Sequence, residues 1–409
     1  MKTKFNHIVL MMILSIMVSC DTESNVEPRF EQYFVKYYGE AGNQTGAYFT
    51  QLEDGGFLIV GTSIPNANNK DMYLVRTDVL GNQLWASTYG AADIDEEGVT
   101  VEVIPDGTGY IVAGNITFDG VSNDVFIVKT DLDGLSVDSA VIGYPAFNEQ
   151  VNDILITSNN NIMIAGSTTN LTSKPASGPR DTEDFYFPIV DMNFLPIANW
   201  TGRYGFDSED RIQSVDQKPD GKFIFFGTSD RDETTVSEKD QNNMIVFQIT
   251  SNGLPDGDDQ TFGTTGNEIA SSMSPTSDGG YVMIGSTKGE GVSNAFISRI
   301  NAGNNLQGTY RVSNSQDVIG KSIYEISTGG GYIILGVISN NADNNILLSR
   351  TDVEGNPIWQ RTFGADSDDE PGRVIQLSDG SFVLTGTVTL DNQTKIVLIK
   401  TNEDGDLSP

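Results

Sequence analysis

The sequence has few of the residues that catalytic sites and covalent crosslinks most often need. Its 409 residues contain one cysteine, Cys20, and one histidine, His7. A structural disulfide needs two cysteines, a Ser-His-Asp triad needs histidine, and zinc and haem sites usually take histidine or several cysteines. Everything after Cys20 lacks both residues. These classes of site are therefore excluded, and we expect a protein with no enzymatic activity and no cofactor.

Basic residues are scarce as well. There are 24 Lys and Arg against 56 Asp and Glu, which gives a formal net charge of −32 at pH 7. An acidic surface repels the phosphate backbone, so nucleic acid is excluded as a partner. Only 20% of the residues are charged and 38% are hydrophobic. This composition is typical of a chain with a packed core rather than of a disordered acidic tail.

Hydrophobic runs of membrane-spanning length are absent from the sequence. Lys2 and Lys4 precede an apolar stretch from Ile8 to Val18, which is too short to cross a bilayer as a helix. A basic start and a short apolar stretch indicate a secretory signal. The stretch ends in Met17-Val18-Ser19-Cys20, which resembles the lipobox of bacterial lipoproteins, where the cysteine becomes the lipidated N-terminus after cleavage.

The lipobox resemblance implies a signal peptide over residues 1–19, lipidation of Cys20 and a lipidated tether over residues 20–33. An ordinary secretory signal with an incidental thiol at Cys20 is the alternative. The next residues, Asp21-Thr22-Glu23-Ser24-Asn25, resemble the surface-export signals of lipoproteins in Bacteroidota. We therefore expect an outer-membrane lipoprotein exposed at the cell surface, and a polar tether on a domain that faces the periplasm stays open.

A short motif recurs along the rest of the chain. One copy is Asp54-Gly55-Gly56-Phe57, followed by Gly61. Asp-Gly turns between apolar runs are typical of β-hairpins, so the motif indicates the start of a strand. Seven copies keep a spacing of four between an aromatic or aliphatic residue and a glycine: Phe57/Gly61, Tyr110/Gly114, Ile162/Gly166, Phe223/Gly227, Tyr281/Gly285, Tyr332/Gly336 and Phe382/Gly386.

Two further motifs follow each copy. An apolar strand ends in a basic or polar residue and a turn, as in Phe126-Ile127-Val128-Lys129-Thr130-Asp131 with Gly134. Each unit thus holds four short strands, a to d, and repeats about every 50 residues, near the kelch period. Strand d ends in an aromatic residue and glycine, and all three tryptophans lie five residues before that glycine: Trp85/Gly90, Trp200/Gly205 and Trp359/Gly364.

Seven such units predict an all-β fold, a seven-bladed β-propeller of four-stranded blades over residues 34–409. The last unit ends after strand c, at Lys400–Gly405, without a strand d. The segment Phe34–Gly39 has the missing spacing, because Phe34 precedes its glycine by five residues as Trp85 does. We therefore predict that this N-terminal strand completes the last blade and closes the ring.

These motifs resemble the lipoprotein β-propellers of Bacteroidota, which are built from Asp-Gly-Gly-aromatic and Lys-Thr-Asp-x-x-Gly-Asn-x-x-Trp repeats. The resemblance covers about residues 30–409. It implies the propeller architecture and an outer-membrane location, but it supplies no catalytic residues, because propellers host many unrelated functions. Repeats three and four depart most from the pattern, and in repeat three Phe194 replaces the glycine of the c–d turn.

In such a blade the a–b and c–d turns share one face, and the b–c and d–a connections share the other. The second face carries the longest connections, at residues 167–183 and 229–242, and binding usually lies in variable loops on a rigid scaffold. Its d–a connections are acidic. The candidate partner-binding residues are Asp93, Asp95, Glu96, Glu97, Asp207, Glu209, Asp210, Asp366, Asp368, Asp369 and Glu370.

Closely spaced carboxylates suit Ca²⁺, but no Asp-x-Asp-x-Asp-Gly loop is present, so a solvated acidic rim and a calcium site both stay open and no metal is assigned. The tryptophans are expected to pack between blades rather than to stack on sugars.

We expect a non-enzymatic binding or scaffold protein, held at the outer membrane by its lipid, that presents the loop-bearing face to a protein or glycan, as an accessory to a transporter or secretion complex. A carbohydrate-active enzyme with paired carboxylates and a purely structural envelope component remain as alternatives.

Overall fold

The computed structural model contains strands, turns and bends, and no helix, in the part of the chain that it describes. The signal peptide, Cys20 and nearly all of the expected tether lie outside the described residues. Within the described residues no helix is long and apolar enough to cross a membrane. The described residues are 32–66, 69–118, 122–170, 183–200, 202–205, 209–230, 242–263, 266–288, 293–312, 316–327, 330–339, 343–364 and 367–408.

The strands form seven antiparallel sheets, one for each blade. In chain order they are β1 (Phe34–Tyr38), β2 (Asn43–Gln51), β3 (Phe57–Asn66), β4 (Asn69–Thr77), β5 (Gln83–Tyr89), β6 (Asp95–Val103), β7 (Tyr110–Phe118), β8 (Ser122–Thr130), β9 (Ser136–Ile142), β10 (Glu149–Ile156), β11 (Ile162–Thr168), β12 (Asp184–Tyr186), β13 (Ile189–Val190), β14 (Arg203–Tyr204), β15 (Asp210–Gln217), β16 (Phe223–Ser229), β17 (Asn243–Ile249), β18 (Gln260–Phe262), β19 (Asn267–Pro275), β20 (Tyr281–Lys288), β21 (Ser293–Ile300), β22 (Leu306–Val312), β23 (Val318–Glu325), β24 (Tyr332–Ser339), β25 (Asn344–Thr351), β26 (Pro357–Phe363), β27 (Glu370–Gln376), β28 (Phe382–Leu390) and β29 (Gln393–Thr401). Strands β2–β5 form blade 1, β6–β9 blade 2, β10–β14 blade 3, β15–β18 blade 4, β19–β22 blade 5, β23–β26 blade 6, and β27–β29 with β1 form blade 7. The all-β, seven-bladed prediction is confirmed.

The N-terminal strand closes the ring. Strand β1 pairs antiparallel with β29, with Phe34 opposite Lys400 and Tyr38 opposite Ile396. The first strand is thereby strand d of the last blade, as its spacing predicts. Because the outer edge of β29 is paired by the other end of the chain, blade 7 is completed in the same way as blades whose four strands are consecutive.

The recurring glycine of strand b is required by a bulge in strand a of the same blade. The register of β2 shifts between Gly46 and Tyr48, and strand a of every other blade shifts at the corresponding point. A Cβ on Gly61 would overlap the carbonyl oxygen of Thr45 at this bulge, and the other six motif glycines face a strand a carbonyl in the same way. The spacing of four therefore reflects a close backbone contact.

Aromatic residues of strand d pack between neighbouring blades. The ring centroid of Trp85 in blade 1 lies 6.4 Å from that of Tyr110 in blade 2, and the buried core continues across this boundary from Val60 to Val101. The other two tryptophans take the same place at the boundaries 3/4 and 6/7. The expectation that the tryptophans pack between blades is met, and their burial contributes to holding the ring together.

Blade 3 departs from the other blades, as the sequence suggests. Its strand c is split into β12 and β13, which both pair with β11, and its strand d is reduced to the two residues of β14. The c–d turn nevertheless keeps its form. Phe194 takes the left-handed conformation, with φ of 63°, that glycine takes in other blades, and its side chain is buried in the core.

Candidate functional sites at the loop face and in the central channel

The a–b and c–d turns make a regular surface that we call the turn face. In blade 1 the N–H of Leu52 donates to the carbonyl of Gly56 and the N–H of Gly55 donates to the carbonyl of Leu52, both at 2.9 Å. The same pair of bonds recurs in the c–d turn of every blade and in the a–b turns of blades 2, 3, 4, 5 and 7, with a shift by one residue in blade 2. In the described part of the blade 6 a–b turn, the N–H of Ile326 donates to the carbonyl of Gly331 with the same shift. Variation therefore has to come from the opposite surface, the loop face, which is made of the b–c and d–a connections.

At the loop face each boundary between blades, or seam, buries one side chain from the start of strand a. This residue is polar in six of the seven blades, and each of the six is at most 1% exposed. Three of them, Glu96, Asp210 and Asp369, are among the candidate partner-binding residues. Because their carboxylates are inside the protein, they have no surface to offer a partner in this structure. The six polar seam residues are Gln44, Glu96, Glu149, Asp210, Glu268 and Asp369.

The buried seam carboxylates accept hydrogen bonds from the protein itself. Oδ1 of Asp210 accepts the Ser229 hydroxyl at 2.5 Å, and Oδ1 of Asp369 accepts the Thr389 N–H at 2.9 Å. Oε1 of Glu96 accepts the Ala91 N–H at 3.1 Å. Charged groups removed from water need such partners, and here the partners lie in the same blade or in the d–a connection that precedes it.

The residue before the seam position ties the blades together at the backbone. Oδ1 of Asp95 accepts the N–H of Lys70 at 3.0 Å, and Oδ1 of Asp368 accepts the N–H of Asn344 at 2.9 Å. In both cases the donor lies at the start of strand c in the preceding blade. These two candidate residues therefore also bond within the protein.

Three candidate residues are exposed and not engaged in these backbone contacts. Asp93 lies in a turn with φ of 67°, and Glu97 and Glu370 are exposed near the start of strand a. Glu97 forms an ion pair with the exposed ammonium of Lys70. The hypothesis that the acidic loops contact a partner now depends mainly on these three residues, and it stays a prediction.

The remaining candidates lie in the d–a connection of blades 3 and 4 and in that of blades 6 and 7. Glu209 is half-buried and its carboxylate lies 3.6 Å from the guanidinium of Arg211. Asp207 and Asp366 lie outside the described residues. The described residues of the acidic loops between blades 1 and 2 and between blades 6 and 7 thus divide into buried, bonded and exposed side chains, which the sequence alone presents as one acidic run.

The seam between blades 1 and 2 brings two carboxylates together. Asp71, at the start of strand c in blade 1, and Glu96 both lie against Gly90, since a Cβ on this glycine would contact a carboxylate oxygen of each. Burial is the main cause that raises the pKa of Glu96 to about 7, and the charges of Asp71 and Asp95 add to it. Burial also raises the pKa of Asp71.

The seam between blades 7 and 1 has a different chemistry at the same place in the repeat. Lys395 occupies the strand c position that Asp71 occupies in blade 1. Its ammonium donates to the carbonyls of Glu40 and Gly42, at 2.5 and 2.9 Å, and to Oε1 of Gln44 at 2.8 Å. Here a cationic side chain satisfies three oxygen atoms around the seam.

A second candidate site is a cavity of about 440 Å³ in the central channel. The seven innermost strands line it, and the bulge of every strand a contributes to its wall. A bulge turns side chains out of the regular alternation, so the irregularity that explains the glycine motif also shapes this cavity. The bulge residues are Ala47, Val99, Asn152, Gln213, Ser271, Lys321 and Gly372.

The channel holds an arginine beside an aromatic ring. The Arg373 guanidinium lies 4.1 Å from the ring centroid of Tyr48, and its Nη1 donates to the carbonyl of Phe49 at 2.9 Å. Asp153 accepts the N–H groups of Val215 and Ile154, both at 3.0 Å. These contacts fix charged groups of both signs in one cavity.

Two acidic residues of the inner strands interact with this arginine, and a third, Asp216, lies near them. Burial raises the pKa of Asp153 to about 7 and the pKa of Glu102 to about 7, although the Arg373 charge opposes both shifts. Burial also raises the pKa of Asp216, whose carboxylate accepts the Tyr281 hydroxyl at 3.0 Å. Strongly shifted acids in a cavity are typical of functional sites, and also of structural charge networks.

Sequence reasoning missed these channel residues. The available signal was a charged side chain beside apolar residues in the second half of strand a, as at Glu102 and Asp153. That signal is weak in a chain with 56 acidic residues. The candidate binding residues were therefore chosen from the acidic loops. Within the described ranges, no three acidic, histidine or cysteine side chains group as metal ligands.

The fold defines the class of protein: a seven-bladed β-propeller. No protein family and no curated protein matches this chain by sequence. It is similar to the structure of Sqt1 from Chaetomium thermophilum, at 12% identity and a TM-score of 0.49, over 86% of this chain and 82% of that one. Drosophila Plexin A, solved in complex with Semaphorin 1b, is similar at 7% identity and a TM-score of 0.47, over 88% and 87%.

A third similar structure is the β-propeller domain of the Trilobed protease from Pyrococcus furiosus. It has 12% identity and a TM-score of 0.45, and the match covers 89% of this chain and all of that one. At these identities the likeness concerns the fold alone. The function has to be argued from this chain's own residues.

Proposed function

We propose that the protein is a non-enzymatic binding or scaffold protein, anchored by a lipid on Cys20 at the outer membrane, that presents its loop face to a protein or glycan partner. The observation that carries the proposal is the place where the N-terminal strand enters the propeller. Strand β1 starts at the turn face, because Phe34 pairs with Lys400 just before the last c–d turn. The Phe34 ring also lies against Gly81 in the c–d turn of blade 1.

This entry point gives a lipid-anchored propeller a preferred orientation. A tether over residues 20–33 reaches at most about 45–50 Å when extended. It would attach at the turn face, so the turn face would lie nearer the bilayer and the loop face farther away. The variable connections would then point to other molecules of the envelope, which suits an accessory of a transporter or secretion complex.

Charge at the loop face favours a partner with basic or hydrogen-bond-donating groups. Asp93, Glu97 and Glu370 are exposed there, and complementary charges at the edge of an interface speed association and exclude wrong partners. The ends of the strands that flank the two longest connections, between β11 and β12 and between β16 and β17, lie on the same face.

The anchor is tested by metabolic labelling with a fatty acid and by fractionation. We expect the wild type to be labelled and membrane-bound, and Cys20→Ala to be unlabelled and released. A wild type that carries no lipid would contradict the anchor without affecting the fold.

Partner binding is tested by crosslinking in cells and purification of the tagged protein. The loop-face variant combines Asp93→Asn, Glu97→Gln and Glu370→Gln, and the matched control removes three exposed acids of the turn face with Asp106→Asn, Asp133→Asn and Glu354→Gln. A partner that is recovered with the wild type and the control, and lost with the loop-face variant, supports the proposal. Equal recovery with both variants contradicts it.

An enzyme that works in the central channel is the second candidate. It is favoured by Glu102 and Asp153, because acids with a pKa of about 7 are suited to proton transfer near neutral pH. The test is hydrolysis of a panel of glycans by the wild type and by Asp153→Asn and Glu102→Gln. An activity that falls at least about 100-fold in these variants and persists in Asp106→Asn supports this candidate, and an activity that survives both excludes it.

A further inference from the structure

The seam between blades 1 and 2 contains a buried carboxylate with one oxygen that accepts no hydrogen bond from the described residues. Glu96 is 1% exposed, and its Oε1 accepts the Ala91 N–H. Its Oε2 is buried, and no group in the described part of the chain donates to it. A buried oxygen of a carboxylate without a donor or cation is costly, so its presence needs an explanation.

A second carboxylate of the same seam lies close to this oxygen. Asp71 and Glu96 approach Gly90 from two sides. The amide nitrogen of Asn69 donates to Oδ1 of Asp71 at 3.1 Å, and Oδ1 of Asn69 is buried with no donor among the described residues. Gly90 has no side chain that would fill the space between the two carboxylates. The seam thus combines two acids and an amide oxygen, with two of these oxygens lacking partners.

The seam between blades 7 and 1 contains a cationic group at the corresponding place in the repeat. There the Lys395 ammonium binds Gln44 and two backbone carbonyls of the d–a connection. Gln44 has the repeat position of Glu96, and Lys395 has that of Asp71. One seam therefore contains its own cationic group, while the next offers acidic oxygens where that group would lie.

We propose that the seam between blades 1 and 2 is a Ca²⁺ site, in which Asp71, Glu96 and Asn69 supply side-chain oxygens. All of these groups are oxygen donors, which Ca²⁺ prefers, and the two carboxylates balance its charge. Mg²⁺ demands a stricter octahedral shell and gives up water reluctantly. The site would need backbone carbonyls or water to complete its coordination. The proposal does not depend on lipid anchoring or on a partner.

Two other seams differ from this one in the partners of their strand a carboxylate. At the seam of blades 2 and 3, both oxygens of Glu149 already accept hydrogen bonds, from Thr168 at 2.5 Å and from the Tyr144 N–H at 3.0 Å. At the seam of blades 4 and 5, Asn243 replaces the strand c acid and faces Glu268 across Gly263. A cation there would meet one carboxylate and one amide oxygen, so its charge would be balanced less well than between Asp71 and Glu96.

The experiment is calorimetric titration of the full-length protein in detergent, freed of metal with a chelator, with Ca²⁺ and separately with Mg²⁺. We expect a Ca²⁺ dissociation constant of about 0.1–1 mM, typical of extracellular sites, and weaker binding of Mg²⁺. At a tenfold to hundredfold excess over this constant, the melting temperature should rise by about 2–4 °C.

The variant that tests the site is Asp71→Asn, which recreates the Asn243–Glu268 pairing that the fold already contains. A second variant, Asp71→Lys with Glu96→Gln, recreates the Lys395–Gln44 pairing. Both should fold and both should lose the Ca²⁺ heat and the thermal shift. The control is Glu354→Gln, which removes one exposed acid of the turn face and should leave both signals unchanged.

Two results would overturn the proposal. One is a wild-type protein that gives neither heat nor thermal shift with millimolar Ca²⁺, in which case the two carboxyl groups share a proton instead. The other is Ca²⁺ binding that persists in both folded seam variants, which would place the ion elsewhere. Circular dichroism establishes that each variant keeps its β-sheet content before it is titrated.

Discussion

The seam of blades 7 and 1 and the seam of blades 1 and 2 lie at the same place in the repeat, but the charged side chains that they contain have opposite signs. In the first, Lys395 donates to Gln44 and to two carbonyls. In the second, Glu96 and Asp71 are both acidic. The blade geometry therefore requires a buried polar contact at this point but leaves its charge open. A repeat fold can place a cation requirement in one seam without changing the others.

The largest effect is expected from Gly90→Ala, which breaks the acidic seam directly. The added Cβ would overlap oxygens of Asp71 and Glu96 and should cost about 3 kcal/mol in the free energy of unfolding. It should also abolish the response to Ca²⁺. Denaturant unfolding measures the loss.

The control for this substitution is Gly107→Ala. Gly107 has a positive φ but no atom within 4 Å of an added Cβ. The Gly107→Ala variant should therefore lose only about 1 kcal/mol in the free energy of unfolding, because of backbone strain. If Gly90→Ala is no less stable than Gly107→Ala, the two carboxylates do not crowd the glycine as the structure indicates.

A smaller loss is expected when the basic seam is broken by Lys395→Met. This change leaves three oxygen acceptors without their donor and should cost about 2 kcal/mol. The loss should be the same with and without Ca²⁺, because the acidic seam is intact. Lys36→Met removes an exposed lysine of the closing strand that bonds Asn82 and should cost less than about 0.5 kcal/mol. Similar losses for both lysines would remove the contrast between the seams.

The two seams should also differ in their response to pH. Burial holds the folded-state pKa of Glu96 at about 7, above its ordinary 4.5, so the folded protein binds more protons than the unfolded chain between these values. The stability due to this group is therefore full below pH 4.5 and is lost as the pH rises through 7.

The measurement is the free energy of unfolding from pH 4.5 to 8 in the presence of a chelator. Glu96→Gln should flatten the decline by about 1–2 kcal/mol, after allowance for water at the edge of the seam. Other buried acids, such as Asp153 in the channel, should keep a residual slope. An unchanged slope would mean that Glu96 is ionised over the whole range.

The smallest effect is expected from Glu97→Gln, one residue along from the seam. Glu97 pairs with Lys70 at the exposed rim, and such pairs contribute less than about 0.5 kcal/mol. A marked gain in stability, measured by thermal unfolding, would show that removing any acid relieves the excess negative charge. The effect of Glu96→Gln could then not be assigned to its burial.

Much of the fold could be predicted because the residues of the repeated motifs, glycine above all, reflect what the backbone requires at each position. The equal spacing of Phe34 to Gly39 and of Trp85 to Gly90 identified the closing strand, since both aromatic residues occupy the same place in strand d. The number of blades followed from the seven copies of the spacing between Phe57 and Gly61. Each of these signals depends on residues near in sequence, which a reader of the sequence can compare directly.

The sites could be predicted only in part. The acidic loop from Asp93 to Glu97 was identified, but Glu96 is buried while Glu97 next to it is exposed. Successive side chains of a strand point to opposite sides, and a run of like residues does not show which member faces inward. Glu102 and Asp153 of the channel were missed because the strand b glycine that marks each bulge does not show which strand a side chains turn toward the channel.

By itself the sequence determined the all-β class, the number of blades and the way the ring closes, because glycine spacing and strand period are local properties that repeat. Only the tertiary structure decided which acids are enclosed at the seams, which reach the loop face and which meet Arg373 in the channel. These assignments depend on contacts between neighbouring blades, where residues such as Lys395 and Gln44 are far apart in the chain and adjacent in space. Burial then sets the charge state of each acid, since the cost of removing a carboxylate from water depends on its surroundings and not on its identity.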